Sequence, residues 1–465
     1  MLDPNRLFPA ESAARRICTK LFESIRDLPI ISPHGHTEPR WFAENKPFPN
    51  PAALFIQPDH YIFRMLYSQG VPLEALGIPR VDDGQGTDPR EVWRIFARNY
   101  YLFRGTPTRL WLDYSFETLF GLTERLSPSN ADEYYDLIQK KVDTPEFLPR
   151  ALFERFKIEV LATTDAAYDS LEWHKQIQSS GWKGRVLPTF RPDAVIDADF
   201  HGFHENLQKL GQAAGEDVSS WNGYLKALRN RRAYFKQNGA TATDHGHLTA
   251  QTADLSLPDA ERLYQRIYSG NTQPGDAEIF QAQMLTEFAG MSVEDGLVMQ
   301  IHPGSVRNYN PKVYEKFGRD KGADIPSATE YVRALRPLLS KYGNERNFTL
   351  ILFTLDETTY SRELAPLAGH FPSVKLGPPW WFHDSPEGMM RFREMATETA
   401  GFYNTVGFND DTRALLSIPA RHDVARRVDC AFLARLVAEH RLDEDEAFEV
   451  ARDLTVNLVR KAYKL

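Results

Sequence analysis

Eight short apolar runs, each ending in polar residues, narrow the folds open to this chain. They are 28–36 (LPIISPHGH), 158–165 (IEVLATTD), 185–193 (RVLPTFRPD), 240–246 (ATATDHG), 296–304 (GLVMQIHPG), 348–356 (FTLILFTLD), 373–381 (SVKLGPPWW) and 403–413 (YNTVGFNDDTR). Several are nearly continuous in apolar residues, the pattern of parallel strands covered on both faces. Helix-like sequence separates them, at 168–180, 328–342 and 386–400. This alternation predicts an α/β fold, a (β/α)8 barrel of the TIM type, with a helical insertion after the first strand and extra terminal helices. An open doubly wound sheet fits less well. No strand-to-helix turn carries G-x-G-x-x-G, and polar residues end nearly every run.

The spacing of the runs sets the organisation. Residues 1–36 read as an N-terminal helix and the first strand. Residues 37–157 read as a mostly helical insertion contributing to the active site, with helices expected at 89–104 and 130–142. Residues 158–420 carry the rest of the barrel, with a second helical insertion near 194–239 whose clearest helix is 221–235. Residues 421–465 read as helices packed on the barrel, at 424–440 and 443–463. Asp443 and Glu446 have the spacing of a capping box.

Charge and composition exclude several functions. Lys and Arg number 55 against 63 Asp and Glu, a net charge of −8, so no basic surface is expected for nucleic acid. No apolar run approaches the roughly 20 residues that span a bilayer. Residues 1–16 mix charged and apolar side chains and do not read as a signal peptide. Cys18 and Cys430 are too few for a disulfide framework or a cysteine zinc site. A soluble cytoplasmic protein is expected, with no nucleic-acid or membrane partner. A homo-oligomer is an open option.

The polar strand ends carry the chemistry, because the C-terminal ends of barrel strands form the active face. His34 and His36 end the first run two residues apart, so their side chains share a face and can bind one metal. Asp411 ends the eighth run, which neighbours the first in a closed barrel, and is the best third ligand. Asp244 and His245, in the Asp244-His245-Gly246-His247 stretch, read as wall residues around one metal; a second metal site there is the lesser alternative. His302 ends the fifth run, as a further ligand, a proton shuttle or a structural histidine. Arg191, Arg307 and Arg413 on the same face imply an anionic substrate, since arginine grips carboxylates in a fork. Trp380 and Trp381 would add a flat apolar wall.

Taken in order, these motifs resemble the uronate isomerases, an outlying branch of the amidohydrolase superfamily. The likeness runs from about residue 28 to 427. It rests on His34-Gly35-His36, Asp59-His60-Tyr61 with Arg64, Gly105-Thr106-Pro107, Thr163-Thr164-Asp165 with His174, and Thr189 through Asp193. It continues in Thr243-Asp244-His245-Gly246, Met299-Gln300 with His302, Arg307-Asn308, Trp380-Trp381-Phe382 and Asp410-Asp411-Thr412-Arg413. Here Gly35 stands where the family usually has cysteine, and Asp410 where it usually has threonine.

The resemblance implies isomerisation of D-glucuronate to D-fructuronate, or of D-galacturonate to D-tagaturonate, through an enediol(ate). It implies one divalent metal, zinc by expectation, on His34, His36 and Asp411, and no nucleotide or redox cofactor. Arg413 would stabilise charge, Asp411 with His302 would move hydroxyl protons, and Tyr61 would move the C–H proton. Arg191, helped by His60 and Tyr61, would hold the carboxylate away from the metal. His60, Arg191, Asp244, His245, Arg307, Trp380 and Trp381 would line the substrate. Two alternatives stay open: a metal-dependent hydrolase of an amide, ester or lactone, and a non-catalytic sugar-acid binder. The sixth run ends Thr354-Leu355-Asp356 without histidine, which favours the isomerase over the hydrolase.

Overall fold

The computed structural model describes residues 2–82 and 86–465. Its strands are β1 (Ile30–Ser32), β2 (Ile158–Ala162), β3 (Asp165–Ala166), β4 (Arg185–Leu187), β5 (Phe190–Arg191), β6 (Ala242–His245), β7 (Val298–Ile301), β8 (Ser305–Val306), β9 (Ile325–Pro326), β10 (Leu350–Leu352) and β11 (Val374–Leu376). β8 and β9 form a small antiparallel pair. The others are parallel, in the orders β1-β2-β4 and β11-β10-β7-β6-β5-β3.

β2 with β3, and β4 with β5, are halves of single strands. Backbone bonds from Thr163 to Leu187, Asp165 to Thr189 and Ala167 to Arg191 carry the ladder across both breaks. Successive barrel strands are therefore neighbours in space. The run at 403–413 is mostly irregular: one parallel bridge joins Thr405 to Leu376. Between this last segment and the first, the amide of His36 donates to the Thr412 carbonyl at 3.0 Å.

Strand alternation builds two apolar layers. Ile31, Val160, Ala242, Val298, Ile351 and Val406 share one buried cluster inside the barrel. Met299, Ile301, Leu350, Leu352, Val374 and Leu376 join the cluster under the helices. The helical segment 37–157 places Trp93, Phe96, Phe103 and Phe116 in one buried cluster with Ile30, Ile158 and Val186. Each such side chain contributes roughly 1.5–3 kcal/mol by its burial, which fixes the insertion, and with it His60 and Tyr61, over the barrel mouth.

Several expected helices differ in extent. The one read at 168–180 begins at Glu172, because Leu171 adopts a left-handed φ of +53°. The one read at 328–342 is helical only over Arg336–Tyr342. Upstream, the amides of Thr329 and Tyr331 donate instead to the carboxylates of Asp356 and Glu363. The expected helix at 89–104 splits into Pro89–Arg98 and a 3-10 turn at Tyr100–Phe103. The Asp443–Glu446 capping box is present. No described helix is long and apolar enough to cross a membrane.

Candidate active site

A cavity of about 880 Å³ opens at the C-terminal ends of the strands and is lined by His34, His36, His60, Tyr61, Arg191, Asp244, His302, Arg307, Trp380, Trp381, Asp411 and Arg413. Nearly every residue singled out from the sequence thus borders one space.

His34 and His36 follow β1 directly. Their Nε2 atoms lie 3.4 and 3.1 Å from Oδ1 of Asp411. Asp411 sits at a left-handed φ of +42°, a strained backbone for an aspartate that turns its carboxylate toward the histidines. Burial alone would raise its pKa, but His34 and His36 outweigh burial and hold it well below the ordinary range. One ligand atom from each of the three lies within 4.8 Å of the others. His34 also belongs to a second such group, with Asp244 and His302. Asp244 is already committed there: its Oδ1 accepts from His302 Nδ1 at 2.7 Å and its Oδ2 pairs with Arg191 at 3.0 Å. The Asp411 Oδ1, by contrast, is buried facing the two histidine nitrogens, with no well-formed hydrogen bond to it among the described residues. The donor chemistry of His34, His36 and Asp411 therefore fits a divalent metal better.

His302 is stacked between His34, at 4.6 Å between ring centres, and Phe353, at 3.9 Å. Its Nε2 is buried and unpartnered. Trp380 packs edge-on against His302 at 4.7 Å, so both tryptophans form the wall expected of them. Arg307 pairs with Asp324 at 3.0 Å and lies 5.1 Å from the Trp381 ring. Arg413 faces Asp320 at 3.6 Å. His60 is held neutral, its pKa pushed down to about 3 by burial and by Arg413, Arg64 and Arg421.

Three expectations change. His245 is fully buried and packs on Phe288 at 4.9 Å, outside the cavity. Adjacent strand residues face opposite ways, so with Asp244 inward His245 must point outward; His247 lines the cavity instead. Arg191 is not remote from the metal cluster. It is bound by Asp193 at 2.7 Å and by Asp244, which itself touches His302. The hydroxyl of Tyr61 is already engaged: it donates toward the Trp381 carbonyl at 2.7 Å and Asp384 Oδ2 at 2.9 Å. Burial, then Asp384, push its pKa well up, so it is no ready base. Asp384 escaped the sequence reading, and its only signal was a lone acid after the tryptophan pair.

Asp165 adds a testable electrostatic feature. It borders the cavity, accepts from Thr163 at 2.7 Å, and is pushed up to about 7 by burial. The unfolded chain releases this proton near pH ~4. Between the two values the folded state binds more protons, so this group's contribution to stability is lost as pH rises. Asp165→Asn is expected to raise the melting temperature by a few degrees relative to wild type at pH 8 and to change it little at pH 4. An equal shift at both pH values in a calorimetric titration would contradict this.

A parallel α/β barrel with a His-x-His pair, a distant aspartate and several arginines converging at its strand ends is a barrel of the enzyme type, with a group of side chains that could hold a metal ion. The glucuronate isomerase family model matches residues 11–463. A uronate isomerase from Phenylobacterium zucineum is 62% identical over 464 residues, covering 100% of this chain and 97% of that protein. The crystal structure of glucuronate isomerase from Caulobacter crescentus superposes with a TM-score of 0.99 at 59% identity, covering 100% of this chain and 97% of that one. That of uronate isomerase from Thermotoga maritima gives 0.92 at 28% identity, covering 100% and 99%. The chain belongs to the glucuronate isomerase family.

Proposed function

We propose that this chain isomerises a D-hexuronate aldose to its ketose: D-glucuronate to D-fructuronate, or D-galacturonate to D-tagaturonate. The observation that carries the reading is full-length family membership together with one cavity that gathers His34, His36, Asp411 and five arginines, Arg191, Arg307 and Arg413 among them. The hydrolase alternative gains no support from the relatives, which are isomerases by name.

The reaction moves a hydrogen from C2 to C1 and passes through an enediol(ate). Its barrier lies in negative charge that develops on the substrate oxygens. His34, His36 and Asp411 would hold one divalent ion, zinc in this proposal. When bound, such an ion would supply Lewis acidity. Arg413 stabilises the developing charge, and Asp411 with His302 exchanges the hydroxyl protons of ring opening. Trp380 and Trp381 shield the chain of the sugar from water. Arg191 and Arg307 supply positive charge for the substrate carboxylate. We place the enzyme in the cytoplasm, which accords with its two buried free cysteines.

Incubation with glucuronate and galacturonate in D2O, followed by NMR, tests this. Ketose should form from at least one of them, with deuterium entering the sugar. No ketose from either, combined with cleavage of a uronolactone, would turn the reading to the hydrolase. Arg191→Met is expected to raise KM tenfold or more while kcat changes less, because a lost carboxylate contact weakens ground and transition states alike. Unchanged kinetics would shift the anchor to Arg307.

A further inference from the structure

The wall behind Tyr61 holds a buried ion pair that the reaction as described leaves without a task. Oδ2 of Asp384 accepts from the Tyr61 hydroxyl at 2.9 Å and from Arg421 Nη1 at 2.6 Å. Tyr61, Asp384 and Arg421 are only 8%, 4% and 2% exposed. Arg421 is held by several partners. Its Nε donates to Ser417 at 2.9 Å, Nη1 also donates to the Asp410 carbonyl at 3.2 Å, and its guanidinium lies 3.6 Å from the centre of the Trp111 ring.

Burying such a pair costs desolvation that apolar side chains of the same size would avoid, so stability alone does not explain it. Geometry suggests another role. Tyr61 and Arg421 border the cavity, and Asp384 sits directly behind the phenol. We propose that Asp384, clamped by Arg421, is the positioning residue that lets Tyr61 transfer protons at the substrate oxygens. This rests on the uronate isomerase reading and on Tyr61 facing the substrate.

The step balances without a co-reactant. The C2 hydroxyl gives its proton to the Tyr61 oxygen as the phenolic O–H bond breaks and that proton passes to Asp384 Oδ2. Asp411 takes the C2–H proton as that bond breaks, Asp384 keeps the hydroxyl proton while the enediolate exists, and Asp411 returns its proton to C1 as the new C–H bond forms. The relay then runs backward and protonates the C1 oxygen, leaving Tyr61 and Asp384 as they began. A phenol whose pKa is raised by burial cannot begin as tyrosinate, so it needs an acceptor on its far side. Burial holds Asp384 above the ordinary carboxylate range despite Arg421, which makes it a better acceptor than an exposed aspartate. Asp59, Asp411 and Arg64, whose guanidinium lies 5.5 Å from the Tyr61 ring centre, are other charged groups that face this pair among the described residues.

The test is a double-mutant cycle on the metal-loaded enzyme with whichever uronate it turns over. Asp384→Asn should lower kcat by about 10–10³-fold with KM within about threefold, and Asp384→Glu should restore a large part of the loss. In a Tyr61→Phe background, Asp384→Asn should cost little more, because the two residues act as one unit. Equal losses in both backgrounds, or an effect on KM alone, would overturn the proposal. If neither Asp384 variant folds, single-turnover rates of the unaltered enzyme in H2O–D2O mixtures decide. A curved dependence, reporting more than one proton in motion, supports the relay, and a linear one overturns it. Failure of the unaltered enzyme to form ketose from either uronate would instead sink the underlying functional reading.

Discussion

Asp411→Asn is expected to lower kcat for uronate isomerisation by about 10²–10⁴-fold, the range for removing an acid–base group, without disturbing the fold. The amide has the size of the carboxylate, so the strained turn at φ +42° can persist. What disappears is the negative charge 3.4 and 3.1 Å from His34 and His36. That charge serves the two histidines as a shared counter-charge, and in the proposed site it also anchors the divalent ion. The variant should therefore lose bound metal, measured by elemental analysis of the purified protein, in step with its activity. Full metal occupancy with kcat within tenfold of wild type would remove Asp411 from both roles.

The second large effect is expected at Arg413. Its side chain is 42% exposed into the cavity and its partner Asp320 stands at 3.6 Å, a loose contact beside those of Arg191 and Arg307. A guanidinium held this lightly can turn to an oxygen as charge develops there. Arg413→Met should cost about 10²–10³-fold in kcat, the scale for losing one donor to a developing oxyanion. Arg413→Lys should recover only part, because a single ammonium cannot present two parallel donors. A variant that raises KM and leaves kcat intact would recast Arg413 as a carboxylate anchor.

The order of strands was legible because an apolar run ending in polar residues is a local pattern. From that order alone Asp411 could be set beside His34 and His36, since closing a barrel joins its first and last strands. The 20-residue helix Asp276–Asp295 was passed over for a physical reason. Its buried residues include the consecutive run Ala282 to Thr286, so no single apolar stripe marks it. Side-chain partnerships across elements were also hidden. Nothing local says that Arg191 will be shared between Asp193 and Asp244, or that Tyr61 will meet an acid more than three hundred residues away. The outward turn of His245, however, follows from alternation once Asp244 is taken as inward.

The join between the first and last strands has a consequence for the molecule as a whole. Among the described residues, its backbone support is the bond from His36 to Thr412, flanked by the side chains of His34, His36 and Asp411. An ion held by those three groups would bridge the opening and closing stretches of the chain. It would shut a loop that contains most of the polypeptide, and so act thermodynamically as a removable cross-link. Selection at these three positions would then answer to two demands at once, turnover and the integrity of the ring. A barrel whose last seam is this sparsely stitched can keep its mouth irregular and adaptable, because the clasp is supplied by chemistry rather than by a ladder.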